Sequence, residues 1–224
     1  MLVLALDTCL QACSVALCDR ASGEVLAHRH EIMERGQAET MPRMVDEVMT
    51  EHGDPYDKLA FMAVTRGPGS FTGVRIGLGF ARAMGTLLEI PVTSMTTLEA
   101  IARNIAHNGE RMPVAAVMDA RRGEVFMQVF DAGFAPLTEA AAVAVEEAAA
   151  HLPPGPALLA GSGAQFLHDQ AMGRILADAN PVPDARVIAC HAPIEPAPQE
   201  LPEPLYLRAP DAKPQGPLGN VRTP

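Results

Sequence analysis

Between Arg66 and Leu88 the chain reads RGPGSFTGVRIGLGFARAMGTLL, a glycine-rich loop that runs into a helix-forming stretch. Backbone N–H groups of such a loop can cradle an anion, so phosphate binding is the first chemistry to test. The P-loop pattern fails, because it needs a lysine to reach the phosphates and this segment has none. The dinucleotide pattern G-x-G-x-x-G fails as well. Gly67 and Gly69 fit it, but Thr72 stands at the third position and the next glycine is Gly73. A looser anion site remains a candidate: Gly67, Gly69 and Ser70, with Asp7 and Thr8 at the end of the first apolar run and Arg121 in a later charged turn. Asp7 either holds a metal-bound water or caps its turn. Arg121, in Asp119-Ala-Arg121-Arg122-Gly123-Glu124, either pairs with local carboxylates or recognises an anion or a partner.

A second pattern lies in the same stretch. Gly73, Gly77, Ala81 and Gly85 recur every four residues, with Val74 beside them, and form a smooth ridge on a helix. Three glycines inside a helix cost about 2–3 kcal/mol relative to alanine. Close backbone approach offsets such a loss, either onto the chain's own sheet or onto a second protein. The segment 37–52 bears on the choice. Its apolar residues Met41, Met44, Val45, Val48 and Met49 follow helical spacing, and three of them are adaptable methionines. This stripe either faces the chain's own sheet or, with the glycine ridge, makes a helix-on-helix partner interface.

Other chemistries are missing. The seven histidines include no pair four apart, and His28-Arg29-His30 has no evident third metal ligand. No G-x-S-x-G elbow occurs, which argues against a serine hydrolase. Cys9, Cys13, Cys18 and Cys190 include no C-x-x-C pair and read as buried reduced thiols. The formal charge is −10 with only two lysines, Lys58 and Lys213, so the net field does not grip nucleic acid. No apolar run approaches the ~20 residues of a membrane span. The opening MLVLALDTCLQACSVALC reads as strands rather than as a leader, and a cytoplasmic protein is the expectation.

These residues need elements to hold them. Apolar runs at 2–6, 13–19 and 25–32, parted by short turns, predict an antiparallel meander. Helix 37–52, strand 58–65, helix 72–89, strand 91–94 and helix 97–107 follow, so residues 1–107 spell β-β-β-α-β-α-β-α, a mixed sheet with helices on its faces. A second hairpin, VAAVMDA and EVFMQVFD, opens a block that repeats the plan in reduced form, with a helix at 143–151, a strand at 158–160 and a helix at 165–172. Nine of the 20 prolines fall in 191–224, where only PLYLRAP (204–210) is apolar enough to dock. The expected division is an N-terminal lobe at 1–108, a smaller C-terminal lobe at 109–190 and a proline-rich tail at 191–224 that packs back on the lobes.

LALDTCLQACSVAL (4–17), GPGSFTGVRIGL (67–78), MDARRGEVF (118–126) and PLYLRAP (204–210) together resemble the TsaB family of bacterial tRNA threonylcarbamoyladenosine biosynthesis proteins, also filed as glycoprotease-like. The resemblance covers the whole chain in order and spacing. It implies an α/β, two-lobed actin and sugar-kinase-like (RNase H-like) fold, each lobe a mixed sheet with the β-β-β-α-β-α-β-α plan and the second lobe reduced. It also implies a non-catalytic scaffold that pairs with the catalytic subunit TsaD for threonylcarbamoylation of the adenosine 3′ of the anticodon, with the ATPase TsaE as a further partner. On that reading tRNA is held only indirectly, no metal is held, no cofactor is bound tightly, and ATP or ADP is at most a weak ligand near the subunit boundary. The family's heterodimer uses the first two helices, here 37–52 and 72–89, and the lone chain would self-associate as a homodimer. The family commonly opens the first helix with His-Ser, where this chain has Gln37-Ala38-Glu39. Gly161-Ser162-Gly163 reads as a remnant of an adenosine-binding turn. The alternative is a self-sufficient ATPase, kinase-like enzyme or peptidase of the same superfamily, in which Asp7 and Asp119 would organise a metal nucleotide.

Overall fold

A computed structural model describes residues 1–53, 56–105, 112–169, 174–177, 182–194 and 201–208. Strands β1 (Leu2–Asp7), β2 (Ala12–Asp19) and β3 (Glu24–Ile32) form an antiparallel meander. Helix α1 (Gln37–His52), strand β4 (Leu59–Thr65), helix α2 (Phe71–Leu88), strand β5 (Val92–Met95) and helix α3 (Thr97–Asn104) follow. Strand β4 adds parallel to β1 and β5 parallel to β4, giving the order β3-β2-β1-β4-β5. The second lobe has β6 (Val114–Arg121), β7 (Glu124–Phe130) and β8 (Ala141–Ala144) antiparallel, then β9 (Ala157–Ala160) and β10 (Arg174–Leu176) parallel. Its order, β10-β9-β6-β7-β8, is the first sheet's order read from the opposite edge. Both lobes therefore carry one plan, that of the two-lobed actin and sugar-kinase-like fold. The second is shortened at its helices α4 (Val145–Ala148) and α5 (Ala164–His168).

Period-two alternation along the central strands explains the two cores. On β1, Leu4 and Leu6 point to the side covered by α1 and α2, while Val3 and Ala5 point to the other side. That other side is covered by the last helix, α6 (Ala185–His191), through Ala185, Ile188 and Ala189. Residues 185–190, counted with the C-terminal lobe by the sequence division, thus pack on the first lobe's sheet. The apolar face of α6 is too short, at seven residues, to announce itself by period.

Two further differences are local. Residues 141–144, read in part as the start of a helix at 143–151, are strand β8. Their alanines and Val143 pair with β7 before the chain turns into α4 and a 3-10 turn at Ala149–His151. The helix read at 165–172 is observed over Ala164–His168, and that at 97–107 over Thr97–Asn104; residues 106–107 and 170–172 lie outside the described residues.

The helix faces singled out as a partner interface are turned inward. Met41, Met44, Val45, Val48 and Met49 are all 2% exposed or less and pack in one cluster with Leu4, Leu6, Val15 and Leu17. Gly73, Val74, Gly77, Ala81 and Gly85 are buried as well. A Cβ on Gly77 would lie 2.8 Å from Thr8 Oγ1, and one on Gly85 would lie 2.3 Å from a methyl of Val92. The ridge exists so that α2 can lie close on β1, β4 and β5. Burial of the stripe and of the ridge, not contact with a second protein, offsets the helix propensity that the glycines lose.

Candidate functional site

A cleft of about 920 Å³ opens between the lobes. One wall is the turn after β1 (Cys9 to Gln11), the loop at Gly69–Ser70 and the start of α1. The opposite wall is Met118–Arg121, Phe126 and Ser162, and Arg208 of the tail closes one side. Of the expected anion-site residues, Gly69, Ser70 and Arg121 line this cleft, while Asp7, Thr8 and Gly67 are not among its lining residues.

Asp7 is fully buried at the end of β1. Its Oδ1 accepts hydrogen bonds from the Thr65 hydroxyl and from the Cys9 N–H (3.3 Å), while Oδ2 is buried with no partner among the described residues. Burial pushes its carboxyl up to about 6 against these bonds. The glycine loop sits directly on this turn. A Cβ on Gly69 would lie 2.4 Å from the Cys9 carbonyl oxygen, and one on Gly73 would lie 2.0 Å from that of Thr8. The Ser70 N–H donates to the Cys9 carbonyl (2.8 Å), and the Thr8 hydroxyl donates to the Gly73 carbonyl (2.7 Å). Ser70 Oγ caps α2 by accepting from the Gly73 N–H at 3.0 Å. The space that missing side chains leave in a phosphate loop is filled here by the chain's own backbone. Gly67, with φ +100°, brings the loop equally close to the tail, since its Cβ would lie 2.8 Å from the Leu205 carbonyl oxygen.

Thiol chemistry is not set up either. Cys9 donates to Thr65 Oγ1 at 3.2 Å, and burial pushes the thiols of both Cys9 and Cys13 up to about 12. At neutral pH they stay protonated and poorly nucleophilic.

On the far wall, Arg122 and Gly123 both have left-handed φ, +57° and +76°, which makes the tight connection between β6 and β7. The Arg121 side chain is 81% exposed and reaches Asp119 Oδ2 at 3.2 Å, so it serves its own hairpin. Gly161-Ser162-Gly163 packs against β6. A Cβ on Gly161 would lie 2.4 Å from the Val117 carbonyl oxygen, and Ser162 Oγ accepts from the Asp119 N–H at 3.0 Å.

The tail segment 201–208 crosses the mouth of the interlobe region. The Leu205 N–H donates to the Arg66 carbonyl (2.7 Å), Arg82 donates to the Pro202 carbonyl, and Tyr206 stacks on Phe71 with ring centroids 5.8 Å apart. Arg208 donates to the Ala120 carbonyl at 3.1 Å and pairs with Glu124 on the second lobe. The contacts of Arg82 with Pro202 and of Arg208 with Glu124 escaped the sequence reading, because partners more than 80 residues apart leave no local pattern.

A family model described as TsaD, tRNA N6-adenosine threonylcarbamoyltransferase, matches residues 25–173. The TsaB protein of Escherichia coli K12, a tRNA threonylcarbamoyladenosine biosynthesis protein, is 39% identical over 126 residues, which are 56% of this chain and 53% of that protein. The chain belongs to the TsaD-like family that this model describes. It spans about half the length of the curated TsaB proteins it matches. An uncharacterised protein of Mycobacterium tuberculosis H37Rv is 33% identical over 95% of this chain and 94% of its own length. Two solved Pseudomonas aeruginosa structures share the architecture. YeaZ has a TM-score of 0.75 at 29% identity, covering 84% of this chain and 88% of that one. A protein described as similar to peptidase YeaZ has a TM-score of 0.79 at 27% identity, covering 92% and 99%. Among the described residues, no helix of this TsaD-like chain is long and apolar enough to cross a membrane.

Proposed function

We propose that this chain is a non-catalytic subunit in tRNA threonylcarbamoyladenosine synthesis, acting by pairing with a TsaD-type catalytic subunit. The observation that carries this reading is the occupied glycine loop. Gly69 and Gly73 are packed against the backbone of Cys9 and Thr8, so the loop serves internal packing and leaves no cradle for a phosphate there. TsaE joins as the ATPase, and tRNA is held by the catalytic partner.

The interface moves to the outer faces of the same two helices. On α2, Gly79, Ala83 and Leu87 form an exposed ridge with four-residue spacing; Leu87 is 75% exposed, and a Cβ on Gly79 would meet nothing within 4 Å. On α1, Ala38, Pro42 and Asp46 are exposed in the same spacing. Small residues beside an exposed leucine admit close helix-on-helix approach. The same faces serve a homodimer when the partner is absent.

The test is reconstitution of adenosine modification from purified components with this chain left out, together with size-exclusion chromatography of its mixture with TsaD. Omission is expected to abolish modification. Leu87→Glu is expected to break the complex while the chain keeps its wild-type melting temperature. Full modification without this chain, or turnover of Mg-ATP by the chain alone, overturns the proposal.

A further inference from the structure

Strand β3 carries His28 and His30, two residues apart and therefore on one face of the strand. Helix α6 begins over that face at its N-cap, Asp184. One ligand atom from each of His28, His30 and Asp184 lies within 4.8 Å of the other two. His28 Nε2 stands 3.3 Å from Asp184 Oδ1, and the two side chains are 22% and 15% exposed. Ligands placed around a tetrahedral zinc ion at its usual bond lengths are separated by about 3.3–3.4 Å, so this edge already has the right length. The other two edges lie within 4.8 Å, and the His30 ring centroid is 6.1 Å from that of His28.

His30 is the decisive residue. Both of its ring nitrogens are buried, and neither has a hydrogen-bond partner among the described residues. A neutral imidazole carries one donor and one acceptor, and a buried ring that satisfies neither requires a partner of another kind, such as water or an ion. The third ligand was invisible in the sequence, because Asp184 reaches the His-Arg-His strand only through the long-range docking of α6.

We propose that His28, His30 and Asp184 form a binding site for a divalent cation of the zinc class, which ties α6 to β3 with water in a fourth position. Two imidazoles and a carboxylate suit Zn²⁺ and its late first-row neighbours rather than Mg²⁺ or Ca²⁺. Asp184 already has outer partners. The Arg186 backbone N–H (2.9 Å) and Nε (3.1 Å) donate to Oδ1, and Nε (3.1 Å) and Nη2 (2.6 Å) donate to Oδ2. With Oδ1 turned to the ion and Oδ2 kept by Arg186, the guanidinium becomes the outer-shell group that orients the carboxylate. Ser14 Oγ, 3.5 Å from His28 Nε2, accepts from the Ala185 N–H at 3.0 Å and fixes the start of α6 over the site.

The experiment is calorimetric titration of the chelator-stripped full-length chain with Zn²⁺, paired with thermal unfolding and with the absorption spectrum of the Co²⁺ form. One equivalent is expected to bind with a dissociation constant in the micromolar range or below, with a higher melting temperature and the visible d–d bands of four-coordinate Co²⁺. His30→Ala and the milder His30→Gln each weaken binding by at least about 100-fold while the apo chain stays folded. Cys18→Ser is expected to bind as tightly as wild type, a necessary control because Cys18 and Cys190 Sγ lie 3.2 Å apart and offer thiolates of their own. Absence of saturable binding overturns the proposal, as does binding undiminished in both His30 variants or binding lost in Cys18→Ser.

Discussion

Replacing Gly73 with alanine puts a methyl carbon 2.0 Å from the Thr8 carbonyl oxygen and 2.6 Å from Ser70 Oγ. Neither neighbour is free to move aside. Thr8 is 1% exposed and its hydroxyl is committed to the Gly73 carbonyl at 2.7 Å, while Ser70 Oγ is the cap of α2. Helix α2 must therefore lift from the turn after β1. Overpacking costs about 1–3 kcal/mol, and strain on the cap and on the buried hydrogen bond adds about 1 kcal/mol. Alanine's entropic advantage over glycine, at most about 1 kcal/mol, returns part of it. The net expectation is a loss of about 1–3 kcal/mol, or roughly 2–12 °C in melting temperature for a chain of this size. Gly79→Ala, on the same helix, separates packing from propensity. Its Cβ meets nothing within 4 Å, so it should gain about 0.5–1 kcal/mol. Urea unfolding followed by circular dichroism reads both variants, provided the m-values match wild type. A Gly73→Ala chain as stable as wild type, or a Gly79→Ala chain as damaged as Gly73→Ala, would refute the claim that the ridge packs on its own sheet.

Other consequences follow from the same contacts. Met44→Glu, at a side chain with no exposed surface, should unfold the chain instead of merely dissociating a complex, which far-UV circular dichroism of the isolated protein distinguishes. Asp7, whose carboxyl is raised from 3.8 to about 6, supplies stability that is complete below pH 3.8 and lost as pH rises through about 6. Asp7→Asn should therefore gain on wild type by roughly 2 kcal/mol between pH 4 and pH 7.5, measured by urea midpoints across that range; a constant difference would contradict it. Arg208→Ala should change global stability by about 1 kcal/mol or less, the pair with Glu124 being partly exposed. It should nevertheless speed hydrogen exchange at the Leu205 N–H, as mass spectrometry of the tail peptide would report.

Local pattern carried most of the first lobe. The meander at 2–32, the stripe of α1 and the βα alternation to residue 104 are short-range signals of period two or 3.6, and each element formed where those periods placed it. The peculiarity of the glycine ridge was equally legible, because every fourth residue of α2 from Gly73 to Gly85 is glycine or alanine. What the ridge touches was not. Periodicity identifies a face that needs cover without saying whether the cover belongs to the same chain. Only the tertiary arrangement set Gly73 on Thr8 and Gly85 on Val92, and so turned the Met-rich and glycine-rich faces inward. The placement of α6 on the first sheet, the Arg208–Glu124 tie and the meeting of His28 and His30 with Asp184 are likewise contacts between residues far apart in the chain. Such contacts are selected by the shape and burial of the whole molecule, and no window along the sequence contains both partners.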